Sequence, residues 1–187
     1  DGHDQGRQQQ GLRFQERRAT VTGAYAAVAG AATWGGMTGW QWAVLGASLA
    51  FIGGGVGSAI GITYASSVAS GILVEDPDKF GSMLPLIAIP GTQGIYGLIT
   101  AILVTILFDL PKLSGSTGLM VFFACLPVAF VCCVSAIFQG LTAASAAAMV
   151  ARRTEELGKA MVLPALVETY AVFSLILTIF LFTRIGK

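Results

Sequence analysis

The chain has 187 residues, 55% of them hydrophobic and 11% charged, with a formal net charge of +1 and a mean hydropathy of +0.75. That is the composition of a membrane protein and not of a water-soluble core. A charge so close to zero offers no basic face to nucleic acid, so no such partner is expected.

Residues 1–40 form an N-terminal extension. Asp1–Arg18 is polar and Gln-rich, as in a mobile or interfacial segment. Ala19–Gly39 is rich in Ala, Gly and Thr and lacks the bulk of a membrane span. The chain opens on Asp1 and not on Met, as a removed leader or a mature numbering would leave it. Four apolar stretches follow, from about Trp42 to Ala69, Met83 to Leu110, Leu119 to Ala151 and Ala160 to Thr183. Each exceeds the roughly 20 residues that a helix needs to cross a bilayer. Backbone in lipid must pair within itself, so the fold class is all-α integral membrane with four transmembrane helices. Trp40 and Trp42 suit an interfacial belt at the start of the first helix. The connections are short. The loops Glu75–Lys79 and Arg152–Lys159 should emerge on one side, their acids solvated, where a partner subunit could dock.

The halves repeat. Phe51–Gly61 aligns without gaps on Phe130–Gly140 at an offset of 79, and the even-numbered spans align at an offset of 74, pairing Pro90 with Pro164 and Tyr96 with Tyr170. The chain therefore reads as a duplicated helical hairpin, 41–112 and 113–187. Small residues recur every fourth position on the first span (Gly53, Gly57, Gly61, Ala65, Ala69). They do so again on the third (Cys132, Ala136, Gly140, Ala144, Ala148). Two such stripes in register predict closely approaching backbones, a crowded inner layer in which copies pack side by side around an axis.

Only the second hairpin carries a membrane acid, Glu168, which falls opposite Gly94 in the repeat. It lies about 12 Å along the helix from Ala160, where a carboxylate costs about 2.5–3.5 kcal/mol on insertion scales. No Lys or Arg lies inside any apolar stretch, so its partner must be a proton, a metal cation or a charge on another subunit. Thr92, Gln93 and Gln139 supply further oxygens, and Thr169 and Tyr170 adjoin the acid. Hard cations such as Na⁺ favour several oxygens with one carboxylate. Pro90 leaves the carbonyl of Leu86 unpaired and predicts a bend at this depth. Gln93 and Gln139 also fit plain interhelical hydrogen bonding, worth about 0.6 kcal/mol each. Tyr96 fits either packing or holding the carboxylate, and Tyr170 fits packing. Cys125, Cys132 and Cys133 share one apolar segment without a metal or redox motif and read as small apolar side chains.

Pro90–Gly97 (PGTQGIYG), Gln139-Gly140 and Val167–Ala171 (VETYA), in a duplicated hairpin, resemble the proteolipid rotor subunit of V-type ATPases over residues 42–187. The similarity is greatest to the sodium-pumping bacterial branch. The resemblance implies a ring of identical subunits in a prokaryotic cell membrane, turned by ATP hydrolysis elsewhere in the complex. The subunit itself would be non-catalytic, without a cofactor. It implies Na⁺ ligands at Thr92, Gln93, Gln139 and Glu168 and the backbone carbonyl of Ile89, with Tyr96 bonding to the carboxylate. A stator subunit would supply an arginine, and a central-stalk subunit would meet the Glu75–Lys79 and Arg152–Lys159 loops.

With an ion bound, Glu168 is neutral and can face lipid; empty, it is a desolvated anion that cannot, and at low Na⁺ burial should load it with a proton. One carboxylate per four helices lowers the ions moved per ATP, which favours a pump. Charge counting by the positive-inside rule puts both termini in the cytoplasm; the resemblance places them outside and is followed here. Alternatives are a proton-carrying rotor of the same family, and a small secondary transporter or channel with a membrane carboxylate.

Overall fold

A computed structural model of the chain describes residues 13, 15–18, 33 and 35–185. The expectations for the N-terminal extension up to residue 34 therefore lie almost wholly outside the described residues, as does Lys187. Four helical spans follow in chain order, Gly39–Glu75, Pro77–Leu107, Gly115–Arg152 and Thr154–Phe182. No strand is assigned among the described residues beyond one isolated bridge position at Met37.

Local chemistry sets the ends. The Thr38 N–H is held by Gln41 Oε1 at 2.8 Å where the first helix starts. Ser114 caps the third by accepting the Thr117 N–H at 3.2 Å. The first and third helices run to 37 and 38 residues, about 55 Å at 1.5 Å per residue. That exceeds the roughly 30 Å of hydrocarbon, so their ends reach the polar boundary. The second span stops at Leu107, short of the expected Leu110: Phe108 turns to extended backbone, and Leu110–Lys112 forms a separate 3-10 turn.

The bend predicted at Pro90 interrupts the α-helix with one tighter 3-10 turn whose backbone stays helical. Helix Phe80–Ala88 gives way to a tight turn at Ile89–Gly91, and helix resumes at Thr92–Leu107. Pro164, its counterpart in the repeat, sits inside an unbroken helix. The difference lies next door: Pro90 is followed by Gly91, and two poor helix formers in succession release the backbone, whereas Ala165 follows Pro164.

The two small-residue stripes face each other within one chain. A Cβ on Gly53 would meet the Ala129 carbonyl, on Gly57 the Cys133 backbone, on Gly61 the Ala136 carbonyl, and on Gly140 the Gly61 backbone. The close approach expected between copies is thus made first between the hairpins of a single subunit. Ala65, Ala69 and Ala136 are buried with them and Ala144 nearly so, while Ala148 stays exposed. The second span packs on the first and the fourth on the third, and the second also touches both helices of the other hairpin. Small side chains fill the interior, whereas Phe130, Phe173, Ile106 and Leu166 point outward. This inverted distribution belongs to a molecule solvated by lipid, where close packing and not apolar burial drives helix association. Cys125 and Cys132 are buried, Cys133 half-buried, and all three are free thiols.

Candidate ion-binding site

The turn at Pro90 builds one wall of the site. It presents the Ile89 carbonyl to the Thr92 hydroxyl, which donates to it at 3.1 Å and lies 3.3 Å from Gln93 Oε1. Gln93 is fully buried and its amide donates to Gln139 Oε1. Gln139, also fully buried, donates its own amide to the Pro164 carbonyl at 3.0 Å and to Glu168 Oε2 at 3.3 Å. The Tyr96 hydroxyl donates to Glu168 Oε1 at 2.6 Å. The second, third and fourth spans thus converge on one half-buried carboxylate.

Every residue named for the site from sequence, Ile89, Thr92, Gln93, Tyr96, Gln139 and Glu168, lies in this continuous hydrogen-bonded cluster. Tyr96 holds the carboxylate directly. Gln93 and Gln139 bond each other across the helices, yet each carbonyl oxygen keeps a second lone pair for another partner. Thr169 does not join the cluster; its hydroxyl turns back to the Leu166 carbonyl of its own helix at 2.7 Å. Tyr170 is exposed and packs edge-on against Phe173, with ring centroids 6.3 Å apart.

Two residues that sequence reasoning passed over support the cluster from behind. Ser58 Oγ accepts the Gly94 N–H at 2.9 Å, and the Ser135 hydroxyl donates to the Val167 carbonyl at 3.0 Å. Both are buried serines on the odd-numbered spans, each bonded to the even-numbered span of its own hairpin. A hydroxyl on an otherwise small, apolar helix face was the available signal.

Among the described residues, no cation pairs with Glu168. The ion pairs found among the described residues, Lys79–Asp76 at 3.2 Å, Lys112–Asp109 at 2.6 Å and Lys159–Glu156 at 2.6 Å, all lie at the span ends. Lys79 Nζ also donates to the Ala151 carbonyl at 2.5 Å, which ties the first and third loops together at one end of the bundle. The pair at Asp109 holds the exposed Lys112 ammonium above its ordinary pKa. In the first hairpin the positions matching the site carry no charge: Gly94 stands where Glu168 stands.

Four helices long and apolar enough to cross a membrane, in two hairpins with one carboxylate held by the Tyr96 hydroxyl and the Gln139 amide, are the architecture of a rotary ATPase proteolipid, and the matches to known proteins bear this out. Residues 45–104 and 122–181 each match the ATP synthase C-subunit family, one stretch in each hairpin, and the chain belongs to that family. It is 37% identical over 147 residues to the V-type sodium ATPase subunit K of Enterococcus hirae, covering 79% of this chain and 92% of that protein. It is 37% identical over 145 residues to the A-type ATP synthase subunit K of Methanocaldococcus jannaschii, covering 76% of this chain and 62% of that protein. The protein is accordingly a proteolipid of the rotor of a V- or A-type ATPase, integral to the membrane and assembled with identical copies of itself.

Proposed function

We propose that this proteolipid carries Na⁺ across the membrane on Glu168 as the ring turns, driven by ATP hydrolysis in other subunits. The supporting observation is the oxygen set: Thr92 Oγ1, Gln93 Oε1, Gln139 Oε1 and the Ile89 carbonyl lie in one cluster with the carboxylate. A proton carrier needs only the carboxylate; a hard monovalent cation needs the rest. The relative from Enterococcus hirae is named as part of a sodium ATPase, which agrees with this reading.

Glu168 supplies the one negative charge that balances Na⁺, and Tyr96 fixes one of its oxygens. The Gln93 and Gln139 oxygens, each already oriented by a donor, offer free lone pairs to the ion. Filled, the site is neutral and passes lipid. Emptied, it leaves a carboxylate in low dielectric, which bars the ring from turning backward through lipid. A stator subunit would supply the arginine that discharges the ion, since no Lys or Arg lies inside the apolar stretches of this chain. A central-stalk subunit would dock on the Glu75–Lys79 and Arg152–Lys159 loops, which the Lys79–Ala151 bond gathers at one end. One ion site per four helices favours work as a pump; sustained ATP synthesis at ordinary ion gradients would count against that.

Carbodiimide labelling of Glu168 in the assembled complex tests the ion. At fixed pH, Na⁺ should suppress labelling; labelling that follows pH and ignores Na⁺ would mean a proton carrier. A second result is expected for Tyr96→Phe. Loss of a hydrogen bond to a charged acceptor costs about 1.5–3 kcal/mol, so the Na⁺ needed for half-protection should rise roughly 10- to 100-fold. An unchanged midpoint would remove Tyr96 from the site.

A further inference from the structure

Gln93 and Tyr96 hydrogen-bond the first hairpin to the second at the site, through Gln139 and Glu168. Their counterparts on the second hairpin, at the offset of 74, are Val167 and Tyr170. These two do not touch the rest of the chain in that way. They line an open apolar groove of roughly 430 Å³ together with Phe130, Val134 and Phe138 of the third span.

The third-span residues have counterparts too. Ser58 and Ser135, each bonded to the even-numbered span of its own hairpin, stand 77 residues apart. The two stretches that match the family also begin 77 residues apart. Matched on these two serines, the odd-numbered spans correspond at 77 residues, two fewer than their sequence register of 79, although Ser58 accepts its bond and Ser135 donates. Counted this way, Phe130, Val134 and Phe138 stand where Gly53, Gly57 and Gly61 stand on the first span. Those glycines form the surface that receives Ala129, Cys133 and Ala136. The groove is thus the second hairpin's version of the surface with which the first hairpin holds its neighbour, and none of the described residues covers it.

We infer that this groove receives the first hairpin of the next identical copy, with Ile52 against Phe130, Val56 against Val134 and Ala59 against Phe138. These three residues of the first span correspond to Ala129, Cys133 and Ala136 by the same count, and all three are exposed in the single subunit. Tyr170 then lies opposite Gly94 of the next copy, as Tyr96 lies opposite Glu168 within the chain. The two junctions differ in kind. The junction within a subunit is closed by glycine and carries the polar cluster, whereas the one between subunits is filled by phenylalanine and is apolar but for Ser135, whose hydroxyl is turned to the Val167 carbonyl, and the Tyr170 hydroxyl. The ring alternates tight, charged junctions with wide, dry ones, and this holds whichever ion it carries.

Disulfide trapping in the assembled complex tests the register, with Cys125, Cys132 and Cys133 replaced by Ala. A chain carrying both Val56→Cys and Val134→Cys should, on oxidation, run as a ladder of dimers, trimers and larger species on a denaturing gel. Each single variant should run as monomer, and the two single variants co-expressed should stop at dimers. The pair Ile52→Cys and Phe130→Cys should reproduce the ladder if the first pair disturbs assembly. An intact ring on a native gel without a ladder from either pair would overturn the assignment. So would an equal ladder from Ile106→Cys with Leu84→Cys, exposed residues of the second span that do not line the groove.

Discussion

With Glu168→Gln, ion transport by the assembled complex should fall to background while the ring still forms. The amide has nearly the shape of the carboxylate and its oxygen can still accept the Tyr96 hydroxyl, so the three converging spans keep their contacts. What disappears is the only negative charge in the cluster. A cation there would then be unbalanced in low dielectric, a penalty of about 3–5 kcal/mol for a buried pair stripped of one member. This weakens binding roughly a hundred- to several-thousand-fold. Radioactive Na⁺ uptake driven by ATP measures the loss, and a native gel of the solubilised complex measures assembly. Transport at near the parental rate with Gln at 168 would sink the assignment of this side chain as the carrier. Loss of the ring itself would instead give Glu168 a structural role.

Gly61→Leu should prevent the protein from folding into a stable bundle. A Cβ at this position overlaps the Ala136 carbonyl and lies 3.0 Å from the Pro90 ring, so both the third span and the turn that shapes the site stand in its way. Backbone cannot rotate aside as a side chain does. The helices must separate along their whole shared face, which exceeds the usual overpacking penalty of about 1–3 kcal/mol. Gly71→Ala is the matched control: nothing lies within 4 Å of its Cβ, and Ala favours helix by about 1 kcal/mol. The amount of protein recovered from membranes, and its resistance to thermal aggregation in detergent, should collapse for the first variant and hold or rise for the second. Normal recovery of Gly61→Leu would mean that the first and third spans do not meet at this face.

Much of this was legible before any coordinates. Runs of apolar residues longer than a bilayer fix helices, because unpaired backbone cannot stay in lipid. An unpaired acid in such a run fixes a site, since only a ligand offsets its desolvation. The oxygens of Thr92, Gln93 and Gln139 were equally visible, as polar atoms are scarce in these spans. The pattern did not reveal how they connect. Whether Gln93 meets Gln139 depends on how the hairpins are turned against each other; the tyrosines pair alike in the repeat, and only the resemblance pointed to Tyr96 as the partner of Glu168. Nor did it separate the two prolines: Pro90 interrupts its α-helix and Pro164 does not, a distinction made by one neighbouring glycine.

The sequence by itself determined the class of molecule, the number of spans and the position of the one charge in lipid, because composition and hydropathy act residue by residue. The tertiary structure decided how the two glutamines meet and that the glycine stripes close a junction inside one subunit. Its two serine bonds also match the odd-numbered helices two residues off their sequence register. These outcomes depend on how each helix is rotated about its own axis. Rotation is set by where glycine lets two backbones touch, and a repeat in the sequence does not record it.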